Sequence, residues 1–390
     1  MYIERSLPLP NKSFMLLGPR GTGKSTWIKH NLKSAFEINL LKSGQYLPLS
    51  QNPTLLHDWV GHLKKGQWVF IDEVQKIPAL LDEVHFLYEE KKLNFALSGS
   101  SARKLKRSGA NLLAGRALQS YIYPLIYSEY HSTSELDSVL RWGSLPGVLT
   151  DLKNKQDTLM TYVETYLKQE LMEEGIIRKL EPFARFLRVA GLYNAQILNI
   201  ENIARESHVG RTTVDKYFEI LEDTLLGSRL QSIQLGLFSK EVQHPKFYFF
   251  DSGVSRACAG LIFEDIDSVY LGHSFEAYIY HELRAYNSYH KKHRDLFYYS
   301  VSGGGEIDFL IETNKKTLSR ARSFFGIEVK SSKTWDRRWT KSLITIREAS
   351  QGKIHGLIGI YRGNQIITQE GITIFPVHKF LEKLVAGDFF

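Results

Sequence analysis

The first third of the chain alternates between apolar runs of strand length and stretches with helical spacing. Within residues 13–130 the apolar runs are SFMLLG, AFEINLL, QWVFIDE and LNFALSGS. Strands that alternate with helices are typical of a parallel sheet whose strands are joined by crossover helices. The pattern therefore predicts an α/β domain with a parallel sheet over residues 1–131.

Helical spacing continues beyond this domain, and strand signals are nearly absent from residue 132 to residue 198. Residues 199–252 then have the order helix, tight turn, helix and two strands, GSRLQSIQL and KFYFFDS. The apolar residues of the two helices have the spacing of a helix-turn-helix core, with Gly210 in the turn: Ile203, Ala204, Val209, Val214 and Leu221. The strands make this segment typical of a winged helix, and we assign residues 132–252 to a helical connector and winged-helix domain.

The last part of the chain, residues 253–390, has a third pattern. The helix SFEAYIYHELRAY precedes three strands, DLFYYSV, EIDFLIE and FFGIEVK, and the helix RRWTKSLITIREAS precedes the strand IHGLIGIY. Helix, three strands, helix, strand is an α/β order. We therefore expect a third domain of α/β class over these residues.

Composition supports several folded domains in a reducing compartment. A chain of 390 residues has room for about two to four domains, and 43% hydrophobic with 24% charged residues excludes a mostly disordered chain. The single cysteine, Cys258, cannot form an internal disulfide, and no apolar run approaches the roughly 18 residues of a membrane span. Glu4 and Arg5 lie where a signal peptide is apolar. We expect a cytoplasmic protein without a membrane partner.

A phosphate-binding motif follows the first predicted strand. The sequence GPRGTGKS fits G-x-x-x-x-G-K-[ST] at every fixed position, and the helix TWIKHNL follows it. In such a loop, backbone N–H groups surround the β-phosphate of ATP, Lys24 bridges the β- and γ-phosphates, and Ser25 ligates Mg²⁺. We expect these residues to bind ATP: Gly18, Pro19, Arg20, Gly21, Thr22, Gly23, Lys24, Ser25 and Thr26. The alternative is a glycine-rich turn without a ligand.

Two further strand ends complete this predicted site. Asp72 and Glu73 end the strand QWVFIDE, where Asp72 would hold the metal through water and Glu73 would polarise the attacking water. AFEINLL lies between the two motifs, as expected for the ATPase class with a strand inserted between these two strands. After LNFAL, Ser98 and Ser100 are both candidates to contact the γ-phosphate, and a plain turn is the alternative.

An arginine finger is a further element of such sites. Arg116, in the run LAGR, is the candidate for reaching the nucleotide of a neighbouring subunit, and Arg20 and Arg103 are other candidates. From sequence alone, Arg116 is equally well a surface arginine.

These motifs resemble a known family. GPRGTGKST, FIDEVQKIP, LSGSS, LAGR and YPLIYSEY are similar to the AAA-type P-loop ATPases of bacteria and archaea that carry a C-terminal domain of formerly unknown function. RWGSLPGV, the winged helix, GEIDFL and IEVK resemble later landmarks of the same family, so the resemblance covers essentially the whole chain. It implies an ATPase that forms a homo-oligomer such as a hexameric ring, with Arg116 acting on the neighbouring subunit.

A second carboxylate cluster is predicted in the last domain. Asp308 lies in one strand and Glu328 and Lys330 in the next, and side chains two apart in a strand point the same way. Asp308, Glu328 and the Val329 carbonyl would hold Mg²⁺, and Lys330 would position a water for attack on a phosphodiester. Glu276, on the preceding helix, would bind a second metal or orient the first.

With the element order, this cluster resembles the restriction-endonuclease-like fold and its PD-(D/E)xK motif, although Ile307 precedes Asp308 where the motif has proline. The resemblance implies Mg²⁺-dependent nuclease chemistry. The alternative is a nuclease fold that serves only for binding or oligomerisation, in which the acidic and basic groups neutralise one another.

Positive charge suggests a polyanionic partner. The 50 Lys and Arg against 42 Asp and Glu give a formal net charge of +8. After Lys330, cations alternate with two tryptophans that would grip phosphates and stack on bases, or else pack on the sheet: Lys333, Trp335, Arg337, Arg338, Trp339 and Lys341. A basic run, RKLKR at residues 103–107, is either a substrate loop or an exposed helix.

The second helix of the predicted winged helix is another candidate DNA contact. It begins with Arg211, Thr212, Thr213 and Lys216, at the end that enters a major groove in such domains. Winged helices also bind proteins, and that alternative stays open.

Three functions are consistent with these features. The first is a DNA-processing ATPase, a motor or nuclease for branched or foreign DNA, with ATP and Mg²⁺ as cofactors. The second is a nucleotide-gated switch or scaffold whose nuclease-like domain binds nucleic acid or protein without cleaving it. The third is a regulator whose winged helix reads an operator.

Overall fold

The computed structural model describes residues 2–101, 117–151, 153–164, 171–173, 177, 179–319 and 321–390. The chain divides into two compact units: Met1–Leu125 together with Ile220–Leu226, and Ile126–Glu219 together with Gly227–Phe390. The domain boundaries predicted at residues 131 and 252 stay predictions. No helix in the described ranges is long and apolar enough to cross a membrane.

The first unit is built on a parallel sheet with helices between its strands. The strands are β1 (Phe14–Leu17), β2 (Phe36–Asn39), β3 (Trp68–Asp72), β4 (Asn94–Gly99) and β5 (Leu118–Tyr121). The helices are α1 (Lys24–Asn31), α2 (Ser43–Gln51), α3 (Leu55–Trp59) and α4 (Leu80–Lys91). Neighbouring strands pair in parallel in the order β2-β3-β4-β1-β5, which confirms the predicted parallel α/β sheet.

The position predicted for AFEINLL is wrong. Its strand, β2, lies at the edge of the sheet, and β4 is the strand between β1 and β3. The burial of the strands agrees with this order of strands in the sheet. Every residue of β1 and all but the first residue of β4 are buried, whereas most of β2 is only partly buried. A strand that is half exposed fits an edge, and a continuous apolar strand fits the centre of a parallel sheet.

One face of this sheet packs on α4. Leu17, Ile71 and Leu97 from three neighbouring strands share an apolar core with Leu80 and Val84 of the helix. All five side chains are essentially inaccessible to water. This core fixes the carboxyl ends of β1, β3 and β4 relative to one another, and the predicted ATP site is at those ends.

The second unit begins with helices and a small antiparallel sheet. Its first helices are α5 (Tyr127–Tyr130), α6 (Leu136–Trp142), α7 (Pro146–Thr150), α8 (Lys155–Thr161), α9 (Leu171–Glu173), α10 (Leu180–Leu192), α11 (Ile200–Ser207) and most of α12 (Arg211–Asp223), whose residues from Ile220 onward belong to the first unit. The strands are β6 (Gln196–Ile197), β7 (Gly227–Leu230) and β8 (Lys246–Phe249), in the spatial order β6-β8-β7. Phe186, Phe218 and Phe247 stack edge to face in the core between α10, α12 and β8, with ring centroids 4.9 and 4.8 Å apart.

A larger mixed sheet forms the rest of this unit. Its elements are α13 (Ser252–Ala259), α14 (Ser268–Tyr289), β9 (Leu296–Ser300), β10 (Glu306–Asn314), β11 (Ser323–Lys330), α15 (Arg337–Ala349), β12 (Ile354–Tyr361), β13 (Ile367–Gln369), β14 (Ile372–Pro376) and α16 (Val377–Ala386). The spatial order is β13-β14-β12-β11-β10-β9; β9, β10 and β11 are antiparallel, and β12 is parallel to β11. The predicted order of helix, three strands, helix and strand is present from α14 to β12, and β13, β14 and α16 extend it.

Helix α14 carries a buried carboxyl, Glu282, that is anchored by hydrogen bonds. Glu282 is 3% exposed and accepts a hydrogen bond from the Tyr127 backbone N–H at 2.7 Å. The Tyr278 hydroxyl also bonds to it, and Tyr130 donates to the Tyr278 hydroxyl at 2.7 Å. Burial, together with the negative charge of Glu129, raises the pKa of Glu282 to about 8. The carboxyl is therefore largely protonated at neutral pH.

We expect the stability of the second unit to depend on the protonation of Glu282. Because its folded-state pKa is raised, the contribution is complete below about pH 4.5 and is lost as the pH rises through about 8. Glu282→Gln should remove this dependence, which amounts to at most about 1.4 kcal/mol per pH unit. The measurement is calorimetric unfolding of both proteins between about pH 5 and pH 8.5.

Glu181→Gln is the matched control, since the Glu181 side chain is 87% exposed at the start of α10. It should keep the wild-type pH profile. Identical pH profiles for Glu282→Gln and wild type would contradict the assignment of a neutral buried carboxyl.

Candidate nucleotide-binding site and carboxylate cluster

The loop between β1 and α1 has a backbone that requires glycine at several positions. Gly21 and Gly23 have φ values of +80° and +90°, in the left-handed region that glycine adopts without steric cost. A Cβ atom on Gly18 would lie 2.4 Å from the carbonyl oxygen of Ile122. The glycines of the motif are thus explained by the path of the loop, which turns tightly from a buried strand into the helix that begins at Lys24.

The Lys24 side chain folds back onto this loop. Its ammonium donates to the carbonyl oxygens of Gly18 at 2.8 Å and Pro19 at 3.1 Å, and the residue is 5% exposed. The Thr22 hydroxyl donates to the same Pro19 carbonyl at 2.7 Å. The Arg5 guanidinium also stabilises the loop, since it donates a hydrogen bond to the Thr22 carbonyl oxygen at 2.7 Å. Neutral carbonyls are weak partners for an ammonium compared with phosphate oxygens, so a bound nucleotide would take their place.

A buried carboxylate connects the ends of β3 and β4 with the start of α1. The Ser25 hydroxyl donates to Asp72 Oδ1 at 2.7 Å, and the Ser98 hydroxyl donates to the same oxygen. Asp72 is 3% exposed at the end of β3, and Ser98 is fully buried. These hydroxyl and carboxylate oxygens fit the requirements of Mg²⁺, for which Ser25 would be a direct ligand and Asp72 would act through water.

The neighbouring carboxylate, Glu73, is held separately. Its φ of +60° turns the chain sharply at the end of β3, and its backbone N–H donates to the Ser98 hydroxyl at 3.1 Å. Its side chain accepts hydrogen bonds from the Gln75 amide and, at 3.2 Å, from the Ser100 hydroxyl. Ser98 and Ser100 therefore contact different carboxylates: Ser98 orients Asp72 and Ser100 orients Glu73.

Sequence reasoning missed Gln75. This residue is 1% exposed, and its amide nitrogen bridges Glu73 and the Ser100 hydroxyl, the latter at 3.0 Å. Among the described residues its Oε1 atom has no hydrogen-bond partner. The only sequence signal for this contact is a glutamine two positions after an acidic pair. No general rule links a glutamine at this spacing to such a contact.

The remaining residues predicted for the ATP site are either exposed or lie outside the described residues. Arg20 and Thr26 have exposed side chains on the loop and on α1. Arg116, Arg103 and the basic run at residues 103–107 lie outside the described residues, so their roles stay predictions.

In the second unit, the structure brings the predicted carboxylate cluster together. Asp308 on β10 is 4% exposed, and Glu328 on β11 is 5% exposed. Lys330 forms an ion pair with Glu328 at 2.5 Å, and Asp308 Oδ2 accepts a hydrogen bond from the Val329 N–H at 2.7 Å. Glu276, on α14, belongs to the same cluster through its partner Lys246.

Lys246 and two other members of the cluster were not predicted. The Lys246 ammonium lies 2.8 Å from Glu276 Oε1 and 3.6 Å from Asp308 Oδ1, and it also pairs with Glu306. The Tyr248 hydroxyl donates to Glu276 Oε1 at 2.5 Å. A lysine and a tyrosine two apart in the buried strand KFYF were the available sequence signal.

Burial dominates the electrostatics of this cluster. It raises the pKa of Glu276 to about 7 and that of Glu328 to about 8, and the negative charge of Asp308 adds to both shifts. Burial alone would lower the pKa of Lys246, but the surrounding carboxylates outweigh it and raise the pKa well above its ordinary value. The pKa of Lys330 is raised in the same way by Asp308 and Glu328. Both lysines are therefore charged.

The cluster does not fit a divalent metal ion in this arrangement. Within the described part of the chain, no group of three or more His, Cys, Asp or Glu side chains is arranged to hold a metal. The Lys246 ammonium lies among Glu276, Glu306 and Asp308, the carboxylates that would surround such an ion.

The tryptophans after Lys330 pack on the sheet, which is the second of the two predicted alternatives. Trp335 is 8% exposed, and its indole N–H donates to the Thr340 hydroxyl at 2.9 Å. The Trp339 ring packs against it with centroids 5.2 Å apart. Trp335 also lies against Gly359, where an added Cβ would be 2.5 Å from the indole. The indole of Trp335 is thus part of the core and is not available for stacking on bases.

The cations of this segment lie at the surface. Arg337 donates to Glu370 at 2.9 Å, and Arg338 to Asp336 at 2.6 Å. Their side chains are 71% and 87% exposed, and Lys333 is also exposed. Exposed ion pairs are weak, so these cations can exchange their partners for phosphates.

The predicted DNA-contacting end of α12 is mixed in charge. Arg211 forms an exposed ion pair with Glu201 at 3.0 Å, and Lys216 is exposed. A cleft of about 740 Å³ beside them is lined in part by Glu201, Asp215 and Glu219. These acids reduce the attraction of this surface for phosphate.

Comparison with known families supports the nucleotide site. Residues 10–131 match a family model described as an AAA domain. The chain carries an AAA-type P-loop ATPase domain. Residues 133–265 and 271–380 match two further models, each described as a domain of unknown function, DUF8612 and DUF4143. These two matches assign no activity to the rest of the chain.

Relatives occur in bacteria and archaea. An uncharacterized protein of Mycobacterium tuberculosis is 25% identical over 332 residues, which are 82% of this chain and 70% of the relative. An uncharacterized protein of Haemophilus influenzae is 23% identical, with 66% and 72% covered. One from Methanocaldococcus jannaschii is 24% identical, with 62% and 61% covered.

A solved structure also aligns with this chain. It is a signal transduction ATPase with numerous domains (STAND) and a tetratricopeptide repeat sensor, from Pyrococcus horikoshii. The identity is 13%, with 74% of this chain and 51% of that chain covered, and the TM-score is 0.22. A TM-score of this size does not indicate a shared fold.

We expect Gln75 to position Glu73 for ATP hydrolysis. Gln75→Ala removes the amide that holds the Glu73 carboxylate, and a misplaced base is expected to lower kcat about 10-fold or more. ATP binding should stay within about twofold of wild type, because Gln75 contacts neither the loop nor Ser25 in the hydrogen bonds described. Phosphate release and binding of a fluorescent ATP analogue measure the two quantities.

Gln51→Ala, at an exposed position at the end of α2, is the matched control and should leave both quantities unchanged. A Gln75→Ala protein with wild-type kcat would show that Glu73 does not need this contact.

Proposed function

We propose that this protein is an ATPase that uses ATP binding and hydrolysis as a switch for its contacts with nucleic acid. The single observation that carries the proposal is the connected set of side chains at the ends of β3 and β4 and the start of α1. Ser25 and Ser98 each donate a hydrogen bond to Asp72, and the Glu73 backbone N–H donates to the Ser98 hydroxyl. This is the arrangement that a hydrolysing P-loop site requires.

Each residue has a distinct role in the proposed mechanism. The loop N–H groups and Lys24 would bind the phosphates, and Ser25 and Asp72 would hold Mg²⁺. Mg²⁺, when bound, supplies positive charge that neutralises the phosphate oxygens. Glu73 would accept a proton from the attacking water, and Gln75 and Ser100 would keep its carboxylate directed at that water.

A ring or other homo-oligomer is part of this proposal. The resemblance to AAA-type ATPases implies that a neighbouring subunit contributes an arginine, and we propose Arg116 for this role. Arg116 lies outside the described residues, so the support for this role is the LAGR motif alone.

We propose nucleic acid, and DNA in particular, as the partner of the second unit. The element order of α11, α12, β7 and β8 supports a winged helix, and that of α14 to β12 supports a restriction-endonuclease-like domain. The candidate contacts are the exposed cations of these two domains: Arg211, Lys216, Lys333, Arg337 and Arg338. The net charge of +8 favours such a partner.

Mg²⁺-dependent cleavage of DNA is the second candidate function. The convergence of Asp308, Glu328 and Lys330 in one buried cluster favours it. The position of Lys246 among the same carboxylates opposes it. We therefore propose binding without cleavage.

Two substitutions separate ATP binding from hydrolysis. Lys24→Ala should weaken ATP binding by roughly 10- to 100-fold, because it removes a charge-assisted contact to the phosphates. Glu73→Gln should keep ATP binding and lower kcat by about 100-fold or more, because it removes the base while keeping the shape of the side chain. Binding of a fluorescent ATP analogue and phosphate release are the measurements.

Lys29→Ala is the matched control for Lys24, since Lys29 is an exposed lysine on the same helix that pairs with Glu37. It should behave as wild type. Hydrolysis at the wild-type rate by Glu73→Gln would remove the proposed mechanism.

DNA binding should depend on the basic surface around α15. Combined replacement of Lys333, Arg337 and Arg338 by alanine should weaken binding of a labelled duplex about 10-fold or more at low salt. The slope of log affinity against log salt concentration should fall by roughly one for each phosphate that the variant no longer neutralises. Fluorescence anisotropy across a salt series measures both.

The charge-matched control replaces three exposed lysines elsewhere in the second unit, Lys315, Lys316 and Lys379. Equal loss of affinity in both triple variants would mean that net charge alone governs binding. Mg²⁺-dependent cutting of the duplex by wild type, abolished by Glu328→Ala or Lys330→Ala, would favour the nuclease function instead.

A further inference from the structure

The cluster of Glu276, Glu306, Asp308 and Glu328 contains a cation that belongs to the protein. We infer that the Lys246 ammonium is the resident cation of this cluster and takes the place of a divalent metal ion. The second unit then folds without metal, and its nuclease-like site is closed to Mg²⁺. The inference does not depend on the proposed ATPase function, because it concerns residues of the second unit alone.

The strand β8 places Lys246 next to the carboxylates. Lys246 begins β8, a strand in which all four residues are buried, and its side chain is only 4% exposed. Its ammonium lies over the Tyr298 ring, 5.3 Å from the ring centroid. A lysine that starts a buried strand cannot reach water by a change of rotamer in the way that a surface lysine can.

The ammonium is matched to its surroundings. Lysine presents three N–H donors, and three carboxylates, those of Glu276, Glu306 and Asp308, lie within ion-pair distance of it. The opposite charges offset the cost of burying each of them. The ammonium therefore occupies the centre of this group of carboxylates.

Most of the oxygens that a metal would need are already engaged, although Glu328 Oε2 has no hydrogen-bond partner among the described residues. Glu276 Oε1 accepts from both Lys246 and Tyr248, and Asp308 Oδ2 accepts from the Val329 N–H. Glu328 Oε1 pairs with Lys330. Mg²⁺ needs about six oxygens at roughly 2.0–2.1 Å, and it would have to displace a buried ammonium to obtain them. Two cations in one space of this size would repel each other strongly.

Binding of Mn²⁺ tests the inference directly. The protein is Ser25→Ala full-length chain without nucleotide, so that the ATP site does not contribute, and bound Mn²⁺ is counted by electron paramagnetic resonance. We expect no bound ion at millimolar Mn²⁺, and the same melting temperature in EDTA and in Mn²⁺. One bound ion that is lost on adding Asp308→Asn would overturn the inference.

Removal of the ammonium should create a metal site. In the same background, Lys246→Met should lower the melting temperature, because it leaves buried carboxylates without their cation. Mn²⁺ should bind to this variant and recover part of the loss. A folded Lys246→Met protein that gains no Mn²⁺ site would overturn the inference. If this variant does not fold, the number of Mn²⁺ ions bound to the protein with Lys246 intact still tests the inference.

Lys330→Met is the matched control, because Lys330 is a partly buried lysine at the edge of the same cluster, where it pairs with Glu328. It should gain no stabilisation by Mn²⁺. An equal gain in both variants would mean that Lys246 has no special position. ATP hydrolysis by the protein with Ser25 restored is a separate measurement, so failure of this inference is distinguishable from failure of the ATPase proposal.

Discussion

Placing carboxylates where water does not reach them is the constraint on which both sites depend. A buried carboxylate is costly unless donors or cations surround it. In the first unit, the hydroxyl groups of Ser25 and Ser98 supply donors to Asp72. In the second unit, the ammonium of Lys246 supplies positive charge to Glu276. Neutral hydroxyl groups therefore stabilise the buried carboxylate in the first unit, and a charged ammonium does so in the second.

The two solutions differ in how readily a ligand can replace them. A serine hydroxyl rotates at little cost, so the oxygen of Ser25 can leave Asp72 and turn toward a metal ion. The carbonyls that hold Lys24 are likewise neutral and easily exchanged for phosphate oxygens. A buried ion pair is far harder to open, because each separated charge then lacks a partner. A ligand can therefore replace the partners of the buried groups in the first site more readily than those in the second.

The parts of this protein that the sequence predicts well are those set by local spacing. The phosphate loop follows from glycine positions and one lysine within a few residues, and the parallel sheet follows from alternation of short elements. The order of strands depends on contacts distant in sequence, and for that reason the edge position of AFEINLL was not foreseen. Gln75 and Lys246 were missed because a single polar residue carries no periodic signal.

The left-handed backbone at Glu73 has a consequence for how this position is maintained. An ordinary side chain in that conformation costs about 1–2 kcal/mol relative to glycine, which adopts it freely. A glycine here would relieve the strain but would remove the carboxylate next to Asp72. Selection for a stable fold alone would therefore not retain glutamate at this turn, and the strain is a stability cost that the proposed chemistry of the site would explain.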